Sequence, residues 1–463
     1  MVSLPFQANR PSDEVTKHNA NWKEDGDIMN DIPLRRADSP AVEDVLSDLI
    51  KIQSVNPPGE ETKVAQYLQR LFGSYHISSE IVEPSPGRAS FIANLGEGER
   101  RLLYLSHTDV VPVSEGWDFP PFSGEIKDGF VHGRGAIDCK GMVAAEACAM
   151  IRLAQTTRLK GKLVFAATAD EEMDGRFGAK MLAEKYPDKI RADFAINEGA
   201  SPLSVKDKIY HSISVGEKGP AWMKLTSKGI SSHGSVPRLE HNAVVKMVRV
   251  LNGLANYKPN IVLLPETKNL LQLCAQIDGL DIEVREETVD DILGKLSDKK
   301  VVPYLSAVTR MTISPDVIHG GIKTNIVPDS CEAQVDIRIL PGQDWEYVIN
   351  ELKEILEDVD IEPLQYIPAS FSSSESKYYQ LVENTLKEFL GDVPILPSIC
   401  TGSTDSEYTR GMGIPSYGTG VTTLDMREEM RNSVHGKNEK IDIASLRLKT
   451  DFLVRLAEKY LGG

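Results

Sequence analysis

Short segments that carry histidine and carboxylate side chains stand out in this sequence, because each follows an apolar run or opens a helix pattern. Four of them are SHTD at 106–109, GAIDCKG at 135–141, ADEE at 169–172 and NEG at 197–199, and a fifth, VHGKNE at 434–439, lies near the end. Imidazole nitrogens and carboxylate oxygens suit zinc, cobalt or manganese. More carboxylates than one ion needs also suggest two ions that share a bridging aspartate, roughly 3.5–4 Å apart.

Taken singly, each segment has an ordinary structural explanation. A lone His after a strand is more often a turn residue than a ligand, and an acidic pair such as Glu171 and Glu172 usually begins a solvated helix. Their joint placement favours a site, because four separate segments bring N and O ligands to the same edge of one predicted sheet. The five cysteines are scattered and form no CxxC pair, so any metal must be held by His and carboxylates.

The apolar runs in front of these segments predict the elements that position them. LLYL at 102–105, KLVFAATA at 162–169 and FAI at 194–196 are typical of strands buried on both faces. Between the first two lies a helix pattern, GMVAAEACAMIRLAQ, at 141–155. Strands that alternate with helices predict an α/β fold with a mostly parallel sheet and helices on both faces. Ligands of such sheets gather at the carboxyl ends of the strands.

The pattern changes from about residue 213 and predicts a second, inserted domain. Alternating, partly exposed strands with two helical stretches favour an α+β insert over 213–337. The catalytic domain is thereby predicted in two parts, 39–212 and 338–463. Residues 1–38 are polar, mixed in charge and weakly periodic, and we interpret them as an N-terminal extension.

Composition and charge exclude several classes of protein. Of 463 residues, 41% are apolar and 26% are charged, which is typical of a globular chain. Lys and Arg number 52 against 68 Asp and Glu, so the net charge of −16 argues against nucleic acid or an anionic membrane as a partner. There is no long apolar window and no signal-peptide pattern, so a soluble, cytoplasmic protein is predicted.

Eight motifs, in order from about residue 42 to the end of the chain, resemble one family of metallopeptidases. They are YLSHTDVVP, WDFPPFSGEIKDGFVHGRGAIDCKG, ATADEEMDGRFGA, NEG, SSHGSVPRLEHNA, TNIVPD with DIRILPG, GSTDSEY and HGKNE. The family includes aminoacylase, acetylornithine deacetylase, succinyl-diaminopimelate desuccinylase and glutamate-releasing carboxypeptidases. The resemblance implies a catalytic domain like that of di-zinc aminopeptidases, with an inserted lid or dimerisation domain.

The resemblance also implies which residues bind two divalent ions per chain, with zinc expected and cobalt or manganese as alternatives. His107 and Glu198 would be the terminal ligands of one ion. Glu172 and His435 would be those of the other ion, and Asp138 would bridge the pair.

Three further residues would act in catalysis if the resemblance holds. Glu171 would be the general base that takes a proton from the attacking water and returns it to the leaving amine. Asp109 would fix the tautomer of His107 from behind, although a turn cap is the alternative. His233, in SSHGS, would donate a hydrogen bond to the oxyanion, although a lone His on a strand and turn is more often structural.

Four residues match the family's substrate-binding positions, namely Asn325, Arg338, Ser403 and Thr404. Arg338 suits bidentate binding of a substrate carboxylate, with a surface salt bridge as the alternative. Two departures concern loop shape and substrate fit rather than metal binding. Asp174 stands where many relatives have Gly, and Ser403 replaces a Gly.

Together these features predict a dinuclear metal-dependent hydrolase that cleaves an amide bond next to a free carboxylate. An N-acyl-amino-acid deacylase like acetylornithine deacetylase or succinyl-diaminopimelate desuccinylase is preferred, and a dipeptidase or carboxypeptidase is the alternative. A non-catalytic binding protein is disfavoured because every expected ligand and the base are present. A nucleotide-binding protein is disfavoured because GRGAIDCKG is not a phosphate loop. The expected partners are a small N-acyl amino acid or short peptide, and a second copy of the chain bound through the insert.

Overall fold

The structure, a computed structural model, describes residues 39–462 apart from 201, 207, 392 and 424–432, and in this part of the chain the largest sheet has ten strands. The strands are β1 (Ser79–Ser85), β2 (Arg88–Leu95), β3 (Arg101–His107), β6 (Lys162–Thr168), β7 (Phe194–Asn197), β8 (Leu203–Val205), β9 (Lys208–Glu217), β16 (Ser370–Phe371), β17 (Ile395–Cys400) and β18 (Ser416–Thr419). The extension predicted for 1–38 lies outside the described residues.

The centre of this sheet is parallel and its margins are mixed. Strand order is β1-β2-β6-β3-β7-β18-β9-β16, with β8 and β17 also paired to β9. The run β6-β3-β7-β18 is parallel throughout, whereas β1, β2, β8 and β16 pair antiparallel to their neighbours. The predicted α/β fold with a largely parallel central sheet is confirmed.

Helices cover both faces of the sheet and supply most of the remaining core. Their bounds are α1 (Val42–Lys51), α2 (Glu61–Ser74), α3 (Lys140–Thr156), α4 (Ala179–Lys185), α5 (Pro187–Ile190), α6 (Ala243–Asn256), α7 (Pro265–Ile277), α8 (Val289–Lys295), α9 (Val302–Ala307), α10 (Trp345–Leu352), α11 (Lys377–Leu390), α12 (Ser406–Gly411) and α13 (Ile443–Leu461), with 3₁₀ turns at Glu171–Met173, Leu239–His241 and Glu286–Thr288. Among these described helices, none has the length and apolar composition that a bilayer crossing requires.

Strand β3 shows why the apolar runs are continuous. Leu103 and Leu105 join one buried cluster with Leu182 of α4. Tyr104 points to the other face, where its hydroxyl donates to the carbonyl of Leu453 in α13 at 2.5 Å. Because both faces of the strand are covered, the run from Leu102 to Leu105 carries only aliphatic and aromatic side chains, and it shows no alternation with charged residues.

A second sheet has four antiparallel strands in the order β12-β14-β10-β15. Its strands are β10 (Gly219–Lys228), β12 (Thr312–Gly320), β14 (Ser330–Ile339) and β15 (Asp360–Tyr366). Met247 and Leu254 of α6 and Val348 and Leu352 of α10 pack on one face of it. Two smaller sheets complete the described strands: β11 (Ser232–His233) with β13 (Ile326–Val327), and β4 (Glu125–Lys127), β5 (Phe130–His132) and β19 (Lys440–Asp442).

The bounds 213–337 predicted for the insert do not coincide with the four-stranded sheet. Strand β9 continues to Glu217 within the ten-stranded sheet, and β15, beyond 337, pairs with β10. Helices α7, α8 and α9 pack around Tyr210 of β9 rather than on the four-stranded sheet. The physical reason is that apolar and polar side chains alternate in any partly exposed strand, whichever sheet it belongs to. The pattern within one strand therefore does not indicate which sheet the strand joins.

A buried ion cluster ties the start of the fold to the turn after β6. Arg88 donates from Nε and Nη2 to the carboxylate of Glu61, both at 2.8 Å, and from Nη2 to Asp170 at 2.5 Å. All three side chains are buried. Two carboxylates thus share one guanidinium beneath the segment ADEE.

We expect Arg88→Met to lower the free energy of unfolding by about 3–5 kcal/mol, because two carboxylates would stay buried without a cation. Arg152→Met is the matched control, since Arg152 pairs with Asp451 at 2.5 Å on an exposed face and its loss should cost less than about 1 kcal/mol. Urea denaturation followed by circular dichroism measures both. Equal, small losses would show that the cluster does not stabilise the fold.

Candidate metal centre

The parallel centre of the large sheet brings the predicted ligands to one edge. His107 is the last residue of β3 and is in register with Thr168, the last residue of β6. Glu171 and Glu172 begin the 3₁₀ turn that follows β6, and Glu198 follows β7 directly. Since β3, β6 and β7 are parallel, their carboxyl ends carry these side chains to the same place.

Two imidazoles face the two oxygens of one aspartate. His107 Nε2 lies 2.9 Å from Oδ1 of Asp138 and 3.1 Å from Oε1 of Glu198. His435 Nε2 lies 3.0 Å from Oδ2 of Asp138 and 3.3 Å from Oε2 of Glu172. Each oxygen of Asp138 therefore belongs to a different group of donors, which is the arrangement that a bridging carboxylate requires.

The donor set fits divalent cations. One carboxylate oxygen of Glu172, Oε1, is buried and has no hydrogen-bond partner among the described residues, which is costly unless a cation or water contacts it. Imidazole and carboxylate ligands suit zinc and its neighbours. The Cys139 thiol lies within 4.8 Å of the donor atoms of His107 and Glu198, a proximity that the sequence reasoning missed because it set the cysteines aside.

Asp109 lies on the Nδ1 side of the His107 ring, and it also holds the turn that carries Glu171 and Glu172. Its carboxylate is 3.4 Å and its backbone carbonyl 3.0 Å from Nδ1 of His107. The carboxylate accepts hydrogen bonds from the backbone N–H groups of Glu171 and Glu172, at 3.2 and 3.1 Å. Burial acts to raise the pKa of Asp109, but hydrogen bonds from His107 and Asn56 outweigh it and lower that pKa. Asp109 therefore stays ionised and leaves Nε2 of His107 to face the metal side.

Glu171 lies next to the proposed metal ligands, but its distance to them is longer than the distances between the ligands themselves. Its Oε2 is 3.9 Å from Nε2 of His107. Burial raises the pKa of Glu171; His107 opposes this effect, and the charges of Glu198 and Glu172 add to it. A carboxylate whose pKa is raised accepts a proton more readily, as a general base must.

Several positioning residues were not found from the sequence. Glu439 accepts from the backbone N–H groups of Gly135, Ile137 and Asp138 at 3.1, 2.8 and 3.2 Å, and pairs with Arg134 at 2.7 Å. The loop that carries Asp138 is thus held by a residue some 300 positions further along the chain. A sequence signal for both residues exists, because Arg134 lies in the motif GRGAIDCKG and Glu439 lies in the motif HGKNE. The motifs alone do not indicate that the two residues pair.

Two cavities meet at the predicted ligands. The first, which we call the metal cavity, has a volume of about 300 Å³ and is lined by Asp138, Glu171, Ser403 and Thr404 among others. The second, which we call the lid cleft, has about 660 Å³ and reaches Arg338 of β14. Both share Glu171, Glu172, Ser403, Thr404 and His435 in their linings.

The predicted substrate-binding residues differ in how firmly they are held. Thr404 is anchored, since its Oγ1 donates to Glu217 at 2.6 Å. Arg338 donates from Nε and Nη2 to Asp336, at 2.8 and 3.1 Å, and lies over the ring of Trp222 with 5.2 Å from Cζ to the centroid. The Nε edge of the guanidinium is therefore taken, and a substrate carboxylate would approach Nη1.

His233 and Asn325 lie together but away from the two cavities. Strands β11 and β13 form one ribbon in which His233 pairs with Ile326, and Asn325 comes directly before β13. The backbone N–H of Gly234 donates to the carbonyl of Asn325 at 2.9 Å. Both are exposed, and among the described lining residues of the two cavities neither is included. Nδ1 of His233 accepts from the backbone N–H of Ser235 at 3.1 Å, which leaves the proton of the neutral ring on Nε2.

Comparison with known proteins identifies a matching family model and several similar proteins. The chain matches a family model described as peptidase family M20/M25/M40 over residues 103–459. An N-fatty-acyl-amino acid synthase/hydrolase of Xenopus tropicalis is 27% identical over 445 residues, covering 90% of this chain and 85% of that protein. A probable succinyl-diaminopimelate desuccinylase of Staphylococcus aureus (strain MRSA252) is 28% identical over 380 residues, covering 79% and 85%.

Among solved structures, an M20 family metallo-carboxypeptidase from Sulfolobus solfataricus superimposes with a TM-score of 0.70. Its sequence is 22% identical, and the match covers 90% of this chain and 98% of that one. At this identity the likeness concerns the fold.

Adjacent glutamates should give different phenotypes when each is changed to glutamine. Glu171→Gln should lower kcat for amide hydrolysis by about 10²-fold or more with metal content unchanged, because only proton transfer is lost. Glu172→Gln should instead bind fewer ions, because a ligand is lost. Elemental analysis after gel filtration, combined with steady-state kinetics, measures both. Exchanged phenotypes would reverse the two roles.

Proposed function

The chain belongs to peptidase family M20/M25/M40, and on that premise we propose that it is an N-acyl-amino-acid deacylase that uses two divalent metal ions, zinc or else cobalt or manganese. Enzymes of this family are metal-dependent hydrolases of amide or peptide bonds, so the coarse activity follows from membership. The resemblance predicted from the motifs is thereby confirmed. The relatives named above include an N-fatty-acyl-amino acid synthase/hydrolase and a desuccinylase, which supports an N-acyl substrate here.

The observation that favours a deacylase over a dipeptidase is the charge of the metal cavity. A dipeptide would bring its α-ammonium group to the acyl side of the scissile bond, where a carboxylate must bind it. In the described lining, the carboxylates are Asp138, Glu171, Glu172 and Glu198, all proposed as ligands or base. Beyond these, the lining adds the basic Lys449 and no further carboxylate. An uncharged acyl group suits this cavity better than an ammonium group does.

Substrate would be held across the two cavities. Arg338 would bind the free carboxylate in the lid cleft through Nη1, because Asp336 occupies the Nε edge. Ser403 and Thr404 line both cavities and would contact the substrate near the scissile amide. The acyl group would then extend into the metal cavity.

Proton transfer would be the task of Glu171. When bound, divalent ions lower the pKa of a water and polarise the carbonyl of the substrate. His107, Glu198, Asp138, Glu172 and His435 would hold them. Glu171 would take a proton from the attacking water and return it to the amine as the C–N bond breaks. Asp109 would keep Nδ1 of His107 protonated, so that the ligand orientation is maintained throughout.

His233 would stabilise the oxyanion with its Nε2–H, and Asn325 would act from the same ribbon. Neither residue is in the described lining of the metal cavity or of the lid cleft, so one of two movements must supply them. Either the four-stranded sheet closes over the metal cavity, or the same ribbon of a second copy of the chain reaches in. We propose a homodimer through this sheet, and a cytoplasmic location stays a prediction.

A substrate panel tests the proposed function. The metal-reconstituted chain should hydrolyse N-acetyl, N-formyl or N-succinyl amino acids faster than dipeptides, and should discriminate against the same compounds with the carboxylate amidated. Arg338→Met should lower kcat/KM for the free acids by about 10- to 100-fold, because a charged hydrogen bond is lost. Arg455→Met, which removes an exposed pair with Glu388, is the control and should leave kcat/KM unchanged. Faster cleavage of dipeptides would favour the alternative, a dipeptidase or carboxypeptidase.

Subunit mixing tests where His233 acts. His233→Ala alone should lower kcat by about 10²- to 10³-fold with both metals retained, as loss of one oxyanion donor does. If the partner supplies it, exchange between Glu171→Gln and His233→Ala chains should restore part of the activity, because some hybrid sites hold both intact residues. Absence of recovery, in mixtures shown to exchange, would indicate closure within one chain. An unchanged kcat in the single variant would exclude His233 as the donor.

A further inference from the structure

A third cavity adjoins the metal cavity and has no part in the chemistry described so far. Its volume is about 230 Å³, and we call it the side cavity. It shares the lining residues Gly199, Pro202 and Cys400 with the metal cavity, so the two cavities meet beside the residue that follows Glu198. The other apolar side chains in its lining are Leu203, Leu270, Tyr304, Leu396, Pro397 and Ile399.

The walls of the side cavity are parts of the folded core. Leu270 of α7 and Ile399 of β17 are 3% and 1% exposed. Leu270 belongs to the cluster that packs α7, α8 and α9 against the ten-stranded sheet. The hydroxyl of Tyr304 donates to the carbonyl of Ile399 at 3.1 Å, so this polar atom is already satisfied and the ring adds apolar surface. A cavity with such walls is pre-formed, and ordering it costs little when a ligand binds.

The side cavity lies on the acyl side of the proposed substrate. The lid cleft carries Arg338, together with Trp222 and Gln334 of the four-stranded sheet. The described lining of the metal cavity includes no residue of that sheet, and the side cavity adjoins it at Gly199, Pro202 and Cys400. A substrate whose carboxylate binds Arg338 and whose amide lies at the metal ligands would extend its acyl group away from the four-stranded sheet, on the side where Gly199 and the side cavity lie.

We infer that the side cavity binds an unbranched apolar acyl chain, so that the substrates are N-acyl amino acids with medium or long chains. This inference rests on the proposed deacylase function. The described lining of the side cavity contains no charged side chain, so a hydrocarbon chain is accepted while a terminal carboxylate, as in a succinyl group, is left without a counter-ion. Burial of each additional methylene should raise kcat/KM by about fourfold until the cavity is filled.

A chain-length series on the metal-loaded enzyme tests the inference. The probes are the N-acetyl, N-butanoyl, N-hexanoyl, N-octanoyl and N-decanoyl derivatives of the amino acid that the panel above identifies, with N-succinyl as the charged match to N-butanoyl. We expect kcat/KM to rise along the series and then level off, and N-succinyl to fall well below N-butanoyl. With Glu171→Gln, whose turnover should be slower by about 10²-fold or more, calorimetry should show tighter binding of N-octanoyl than of N-acetyl substrate.

Variants at one wall position connect the preference to this cavity. Leu396→Ala should move the chain-length optimum to longer acyl groups, and Leu396→Trp should move it to shorter ones, because they enlarge and fill the same space. Leu273→Ala is the control, because Leu273 lies on α7 near the same core cluster but outside the described lining. Its chain-length profile should match that of the unaltered chain.

The outcomes separate the two proposals. Hydrolysis of short N-acyl amino acids with a flat chain-length profile would overturn the apolar acyl subsite and leave the deacylase function standing. A profile that rises but does not respond to either Leu396 variant would also overturn the assignment to this cavity. Cleavage of dipeptides without cleavage of any N-acyl amino acid would overturn the proposed function itself, and the inference with it.

Discussion

Repulsion between buried carboxylates is the constraint on which the rest of the structure depends. Asp109, Asp138, Glu171, Glu172 and Glu198 gather at one edge of the large sheet. The charges of Glu172 and Glu198 raise the pKa of Glu171, and the charge of Asp138 raises the pKa of Glu172 and of Glu198. Burial makes this repulsion stronger than it is in water. Folding can bring them together only where compensating positive charge is available from the two imidazoles and from bound cations, while Arg88 compensates the neighbouring pair Glu61 and Asp170.

Hydrogen bonds to buried carboxylates also fix the loops of the site. The carboxylates of Asp109, Glu439 and Glu217 accept hydrogen bonds from the backbone of the loops that carry the ligands and Thr404. Each loop is therefore clamped by a buried anion from a distant part of the chain. The ligand side chains can be short and well ordered, because the backbone beneath them does not have to be positioned by packing alone.

The sequence predicts those features whose signal is local. The apolar runs at 102–105 and 162–169, within or just past β3 and β6, predict both the buried strands and the edge where the proposed ligands collect. The roles of Arg88 and Glu439 depend on partners far away in the chain, and no periodicity records such a pairing. The pairing of β15 with a strand of the insert is not predicted for a related reason, because β15 looks like any partly exposed strand until its pairing with β10 is known.

Arg338, the residue proposed to bind the substrate carboxylate, is already half of a neutral pair with Asp336, and this affects how an anion reaches the site. The chain carries a net charge of −16, and the guanidinium already has Asp336 as its counter-ion. An anionic molecule in solution is therefore not drawn to the cleft from a distance, and its encounter rate should increase as ionic strength screens the surrounding charge. Selection then begins at contact, where the direction of Nη1 discriminates between planar carboxylates and other anions.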